Sequence, residues 1–153
     1  MMAGALADPG FVESWFRARI EKLLPGPCRG SGGVRVIEVD RMSRGVSRQT
    51  WTVDVETDDR SRRRFAVRRD HQAGSIIASS LRDEYEVYRR LDGSDVPIAR
   101  VLWFEEDPEW MPDGRPAYVR ELVDGDWRLP ALDDHSLDGD AKRIRLSKEH
   151  LVS

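Results

Sequence analysis

The chain has no asparagine, one cysteine and, among its 25 basic residues, only Lys22, Lys142 and Lys148 as lysines. The lone Cys28 excludes an internal disulfide. The opening "MMAGALADPG" carries no basic segment ahead of an apolar core, so it does not read as a secretory signal. Together these two features predict a cytoplasmic protein. His71, His135 and His150 are widely spaced and no cysteine pair joins them, which argues against a zinc site, and no metal ligands are assigned in this chain. No apolar run approaches the roughly 20 residues of a membrane-spanning helix, so no membrane partner is expected.

What is abundant is charge: 35% of the 153 residues are Asp, Glu, Lys or Arg, with a net charge of -3. The basic residues are mostly arginines, which favour bidentate contacts with carboxylate or phosphate. The run "RSRRR" (60–64) invites a nucleic-acid reading. The acidic net charge and the lack of aromatic residues between the basic ones argue against a nucleic-acid partner. "ETDDRSRRR" instead sets acids against bases across a polar turn, as in a solvated hairpin.

The periodicities predict the elements. Asp8 caps a first helix with Pro9 at its first position, and Val12, Phe16, Ile20 and Leu23 share one face, with Trp15 and Leu24 beside them. Pro25-Gly26-Pro27 ends it, and "GPCRGSGG" (26–33) reads as a joint. Strands are predicted over 34–40, 50–57 and 63–69, the second with Trp51, Val53 and Val55 on one side. A helix follows over roughly 75–91, capped by Ser80 with Asp83 if it begins late, and stopped by Gly93 and Pro97. Two further strands are predicted over 99–107 and 115–123. The order implies an α+β fold: a five-stranded, mostly antiparallel sheet with the helices on one side.

Two charged residues break the apolar patterning. Ile77, Leu81, Tyr88 and Leu91 form a stripe on the second helix, and Glu84 sits within that stripe. In "RRRFAVRRD" (62–70), alternation sets Ala66 and Arg68 on one face, opposite Phe65, Val67 and Arg69. An inward carboxylate needs a positive partner, and Arg68, on the inward face of its strand, is the natural one. Spacing alone leaves open a purely structural ion pair, or a Glu84 at the edge of the stripe.

Taken in order, "SRGVSRQTW" (43–51), "FAVR" (65–68), "RDEYEVYRRL" (82–91), "SDVPIARVLWFEED" and "GRPAYVRELVDGDW" resemble the N-terminal lobe of the aminoglycoside phosphotransferase and choline kinase-like family, relatives of the protein kinases. The resemblance covers roughly residues 33–126. It implies a loop over the nucleotide phosphates in which Gly45 and Ser47 contribute, with Arg48 where asparagine is usual. It implies that Arg68 takes the place of the phosphate-binding lysine, paired to Glu84, while Ala66 leaves room for the adenine ring. In the hinge strand the carbonyl of Glu121 and the amide of Val123 would read the base, with Arg120 replacing the usual methionine behind it. The implied cofactor is ATP or GTP with magnesium, and the partners are a nucleotide and, once a second lobe is present, a small-molecule acceptor.

The family's catalytic aspartate and its metal-binding asparagine and aspartate are written like H-G-D-x-x-x-x-N followed by D, in a C-terminal lobe. "HSLDGD" (135–140) has the wrong spacing, and the chain has no asparagine, so no catalytic residue is assigned. The expected layout is an N-terminal helix and joint over 1–32, a nucleotide-binding lobe over 33–125, and a connector over 126–153. Such a chain is a phosphotransferase only when completed by a second lobe, and is inactive alone. A lobe of a longer protein, a truncated product and a stand-alone module all fit. The rival function is a non-catalytic interaction module that self-associates or binds another chain through the uncovered face of the cleft.

Overall fold

Asp8 and Pro9 start the first helix where the sequence places it. The computed structural model describes residues 5–23, 33–42, 48–58, 60–71, 74 and 79–123. After a 3-10 turn at Ala5–Ala7, helix α1 spans Pro9–Leu23. The Asp8 carboxylate accepts from the Gly10 amide at 3.1 Å and its carbonyl from the Val12 amide, satisfying donors that a helix start leaves open. Val12, Trp15, Phe16 and Ile20 are buried as the stripe requires, and Leu24 lies outside the described residues.

Strands β1 (Arg35–Arg41), β2 (Arg48–Glu56) and β3 (Arg62–Asp70) precede helix α2 (Leu81–Leu91), and β4 (Val101–Glu105) and β5 (Ala117–Glu121) follow it. All neighbours are antiparallel, in the order β1-β2-β3-β5-β4. The β2–β3 hairpin opposes Asp54 to Arg64 and Glu56 to Arg62, with N···O separations of 3.0 and 4.0 Å. The run of arginines there is thus the basic half of a cross-strand charge ladder.

Helix α2 begins late. Ser80 caps it by accepting from the Asp83 amide at 3.0 Å, and Ile77, expected to open its stripe, lies outside the described residues. Gly93, two residues past the end, has φ 77°, a left-handed conformation that glycine adopts without steric cost.

The two helices lie on opposite faces of the sheet, not on one side as the sequence suggested. Trp15, Phe16 and Ile20 of α1 pack with Trp51, Val53, Phe65, Val67, Trp103 and Val119 in one core. Leu81 of α2 packs with Val101 and Tyr118, flanked by Tyr85, Tyr88 and Phe104, in a second. The reason lies in the two central strands. Phe65, Ala66 and Val67 are all buried, as are Ala117, Tyr118 and Val119, so both faces of β3 and β5 need cover. A register shift between Val101 and Trp103 lets Trp103 join the α1 core while Val101 serves the other. Helix α1 and the sheet belong to one compact unit that runs to Leu122.

Three polar devices hold this layout. Glu105 is 3% exposed and accepts from the Trp15 indole at 2.9 Å and from Arg19 at 2.7 and 3.1 Å, tying α1 to β4. At the outer edge of β1, Arg17 donates to the Val34 carbonyl at 2.8 Å and Glu13 accepts from the Val36 amide at 2.9 Å. Glu13 and Arg17 are themselves paired at 2.8 Å, one helical turn apart. On the α1 face of β3, buried Arg69 meets Asp113 of the β4–β5 turn.

That last pair gives the fold an acid sensitivity. Burial pushes the Asp113 carboxyl up, but hydrogen bonds from Arg115 and Arg69 outweigh it and hold the carboxyl below its ordinary value. A depressed carboxylate contributes stability that is present above the unfolded value, about 4, and lost as pH falls through the folded one. Acid melting of Asp113→Asn is therefore expected to show a shallower loss of Tm below about pH 4 than the parent chain. Parallel curves for the two proteins would remove Asp113 from the acid response.

Candidate functional site

The α2 face of the sheet carries the charged residues that the apolar pattern did not absorb. Strand alternation from the buried set Trp51, Val53 and Val55 puts Arg48, Thr50 and Thr52 of β2 on this face. Arg68 and Ala66 of β3 and Tyr118 and Arg120 of β5 join them, since Thr50 opposes Arg68, Arg68 opposes Tyr118, and Ala66 opposes Arg120. Helix α2 delivers Glu84 from its first turn.

Glu84 is the hub. Its Oε1 accepts from Arg68 Nη1 at 2.9 Å and from the Tyr118 hydroxyl. Its Oε2 faces Arg48 Nη1 in a close ion pair. The inward arginine and inward glutamate expected from the sequence thus do meet. Burial raises the Tyr118 phenol above its ordinary value, although Arg68 and Arg120 pull it down, so the hydroxyl stays protonated and donates.

The two arginines are held differently. The Arg48 side chain is 2% exposed and spends each of its nitrogens: Nε on Asp70 at 3.0 Å, Nη2 on the Ser79 carbonyl at 2.7 Å, and Nη1 on Glu84. The Arg68 side chain is 23% exposed, and its Nε is buried with no hydrogen-bond partner among the described residues. Arg120 also has a buried, unpartnered Nε, and its guanidinium carbon lies 5.6 Å from the Tyr88 ring centroid.

No family model matches the chain, and no curated protein matches it.

Ala66 has no exposed surface, so a ring laid against it must displace what covers it. The Glu121 amide donates to the Arg100 carbonyl at 2.8 Å, and the next amide, that of Leu122, donates to the Arg64 carbonyl at 3.0 Å. Val123 is exposed. Gly45 and Ser47 lie outside the described residues. Among the described residues no group of three His, Cys, Asp or Glu could hold a metal ion, and no helix is long and apolar enough to cross a membrane.

Arg48 and Tyr118 were not foreseen as partners of Glu84. The family resemblance puts Arg48 in the phosphate loop, whereas it is the first residue of β2. Extending the alternation of β2 back by two residues from Thr50 would have placed it beside Arg68. Beside this cluster, α2 also borders a recess of about 480 Å³ lined mainly by Val87, Tyr88, Leu91 and Ile98, with Asp83 and Glu84 at its polar side.

Proposed function

We propose that this chain carries the nucleotide-binding lobe of an ATP- or GTP-dependent small-molecule phosphotransferase, similar to the aminoglycoside phosphotransferase and choline kinase-like family. The observation that carries this reading is the Arg68–Glu84 contact across the seam of β3 and α2. A guanidinium that touches a carboxylate and keeps 23% of its side chain exposed is suited to take a phosphate oxygen. The antiparallel five-stranded sheet, with α2 inserted between its third and fourth strands, supports the same reading. In this reading Arg68 binds phosphate, Ala66 and the Glu121–Val123 backbone bind the base, and magnesium ligands and the acceptor site belong to a second lobe. The lobe alone binds nucleotide weakly and does not turn over.

Thermal shift with Mg-ATP and Mg-GTP is the test. At about five times a millimolar Kd the linkage energy is about 1 kcal/mol, which raises Tm by about 2–4 °C for a chain of this size. Unchanged melting at millimolar levels of both nucleotides counts against a working site.

The recess beside α2 favours a second reading, a non-catalytic interaction module on the same scaffold. Its wall is largely apolar, and Val87 there is 57% exposed. Association that proceeds equally with and without nucleotide, and that fails in Val87→Asp, separates this reading from the first.

A further inference from the structure

Glu84 has more donors than an ion pair between a strand and a helix requires. We propose that they divide the work: Arg48 is a fixed latch that positions α2, and Arg68 is the exchangeable cation that leaves Glu84 for an incoming phosphate without releasing the helix. The second half of this statement rests on the phosphotransferase reading, and the first half does not.

Three observations carry the division. The first is connectivity. Arg48 joins three separate segments, the end of β3 through Asp70, the residue before the α2 cap through the Ser79 carbonyl, and the first turn of α2 through Glu84. Moving it breaks all of these contacts together. Among the described residues, Arg68 has one ion-pair partner, Glu84.

The second is hydration. A guanidinium that is 2% exposed has no water to fall back on, so its bonds are costly to break. Arg68, at 23% exposed, keeps part of its side chain in reach of solvent, although its Nε is buried and has no partner among the described residues.

The third is the division of the Glu84 oxygens. Arg48 holds Oε2, while Arg68 shares Oε1 with the Tyr118 hydroxyl. When Arg68 turns away, both oxygens keep a donor, so the carboxylate is left neither bare nor free to swing. Glu84 therefore does not need Arg68 in order to stay inward, and α2 is set before a nucleotide arrives. A site arranged in advance loses less affinity to ordering its own parts on binding.

Hydrogen exchange followed by mass spectrometry tests the latch, with peptides covering α2 compared against peptides covering β3 and β5. The proteins are the parent chain, Arg68→Met, Arg48→Met and Arg48→Lys. The lysine variant keeps a charge that can reach Asp70 but cannot span all of the Arg48 acceptors, and it guards against a methionine variant that does not fold. In Arg68→Met, exchange in α2 is expected to stay within about twofold of the parent, while the Mg-ATP thermal shift is lost. In Arg48→Lys, α2 is expected to exchange about tenfold faster or more, with β3 and β5 within about twofold.

Equal loosening of α2 by Arg68→Met and Arg48→Lys overturns the latch. So does an α2 unmoved by Arg48→Lys, and so does acceleration spread evenly over helix and strands. A parent chain that gains no thermal stability from Mg-ATP or Mg-GTP overturns the phosphate role of Arg68. The exchange comparison then still decides the role of Arg48.

Discussion

Replacing Glu84 with alanine is expected to lower unfolding stability by about 3 kcal/mol and Tm by on the order of 10 °C. The reason is what remains. Arg48, Arg68 and Tyr118 all lose an acceptor at once, and Arg48 stays buried with its Nη1 facing an empty site. Removing one member of a buried ion pair costs more than the pair itself contributes, because the surviving charge is not rehydrated. Arg68→Ala is the control. It leaves Glu84 with Arg48 and Tyr118, so it is expected to cost only about 1 kcal/mol. The second arginine is what makes the two losses unequal. Urea unfolding of both variants measures the difference. A silent Glu84→Ala would mean that the cluster is not formed in solution.

The largest loss away from this cluster is expected at Glu105. Its carboxylate takes the indole N–H of Trp15 and both nitrogens that Arg19 offers, and it is 3% exposed. Alanine there leaves a buried indole donor unsatisfied, strips Arg19 back to its 3.4 Å contact with Asp107 and opens space in the α1 core, for a cost of about 3–5 kcal/mol. Helix α1 should detach first. Trp15 stacks edge-on to Trp103 at 5.6 Å and to Phe16 at 5.3 Å, so detachment reaches the aromatic core directly. Tryptophan emission should shift to the red at lower denaturant than in the parent chain, together with loss of helical dichroism. Glu105→Gln, which keeps the volume and one acceptor, should recover part of the loss. Emission and dichroism indistinguishable from the parent throughout would show that α1 is held by its apolar stripe alone.

The elements most legible in the sequence are those with one clear period. The α1 stripe names Val12, Trp15, Phe16 and Ile20, and the alternation of β2 names Trp51, Val53 and Val55, because one face is apolar and the other is not. The facing of the helices was not legible. Phe65-Ala66-Val67 and Ala117-Tyr118-Val119 are continuous apolar runs, and a run without alternation does not say how many faces it covers. Glu84 and Arg68 could be read as a pair because each violates a local pattern. Tyr118 violates none, since a tyrosine on an apolar strand looks like core, and its hydroxyl partner is set only by tertiary packing. Glu105 was equally hidden: 90 positions separate it from Trp15, and no local spacing links a strand end to a helix face.

Helix α1 has one more effect, through Glu13 and Arg17. A terminal strand leaves a row of peptide groups that another chain's strand can zip onto, a common start of aggregation. At the beginning of β1 the outward carbonyl of Val34 and amide of Val36 are already taken by these two side chains. An incoming strand would have to displace that i,i+4 pair before it could register against the sheet, so this end is guarded against templated growth.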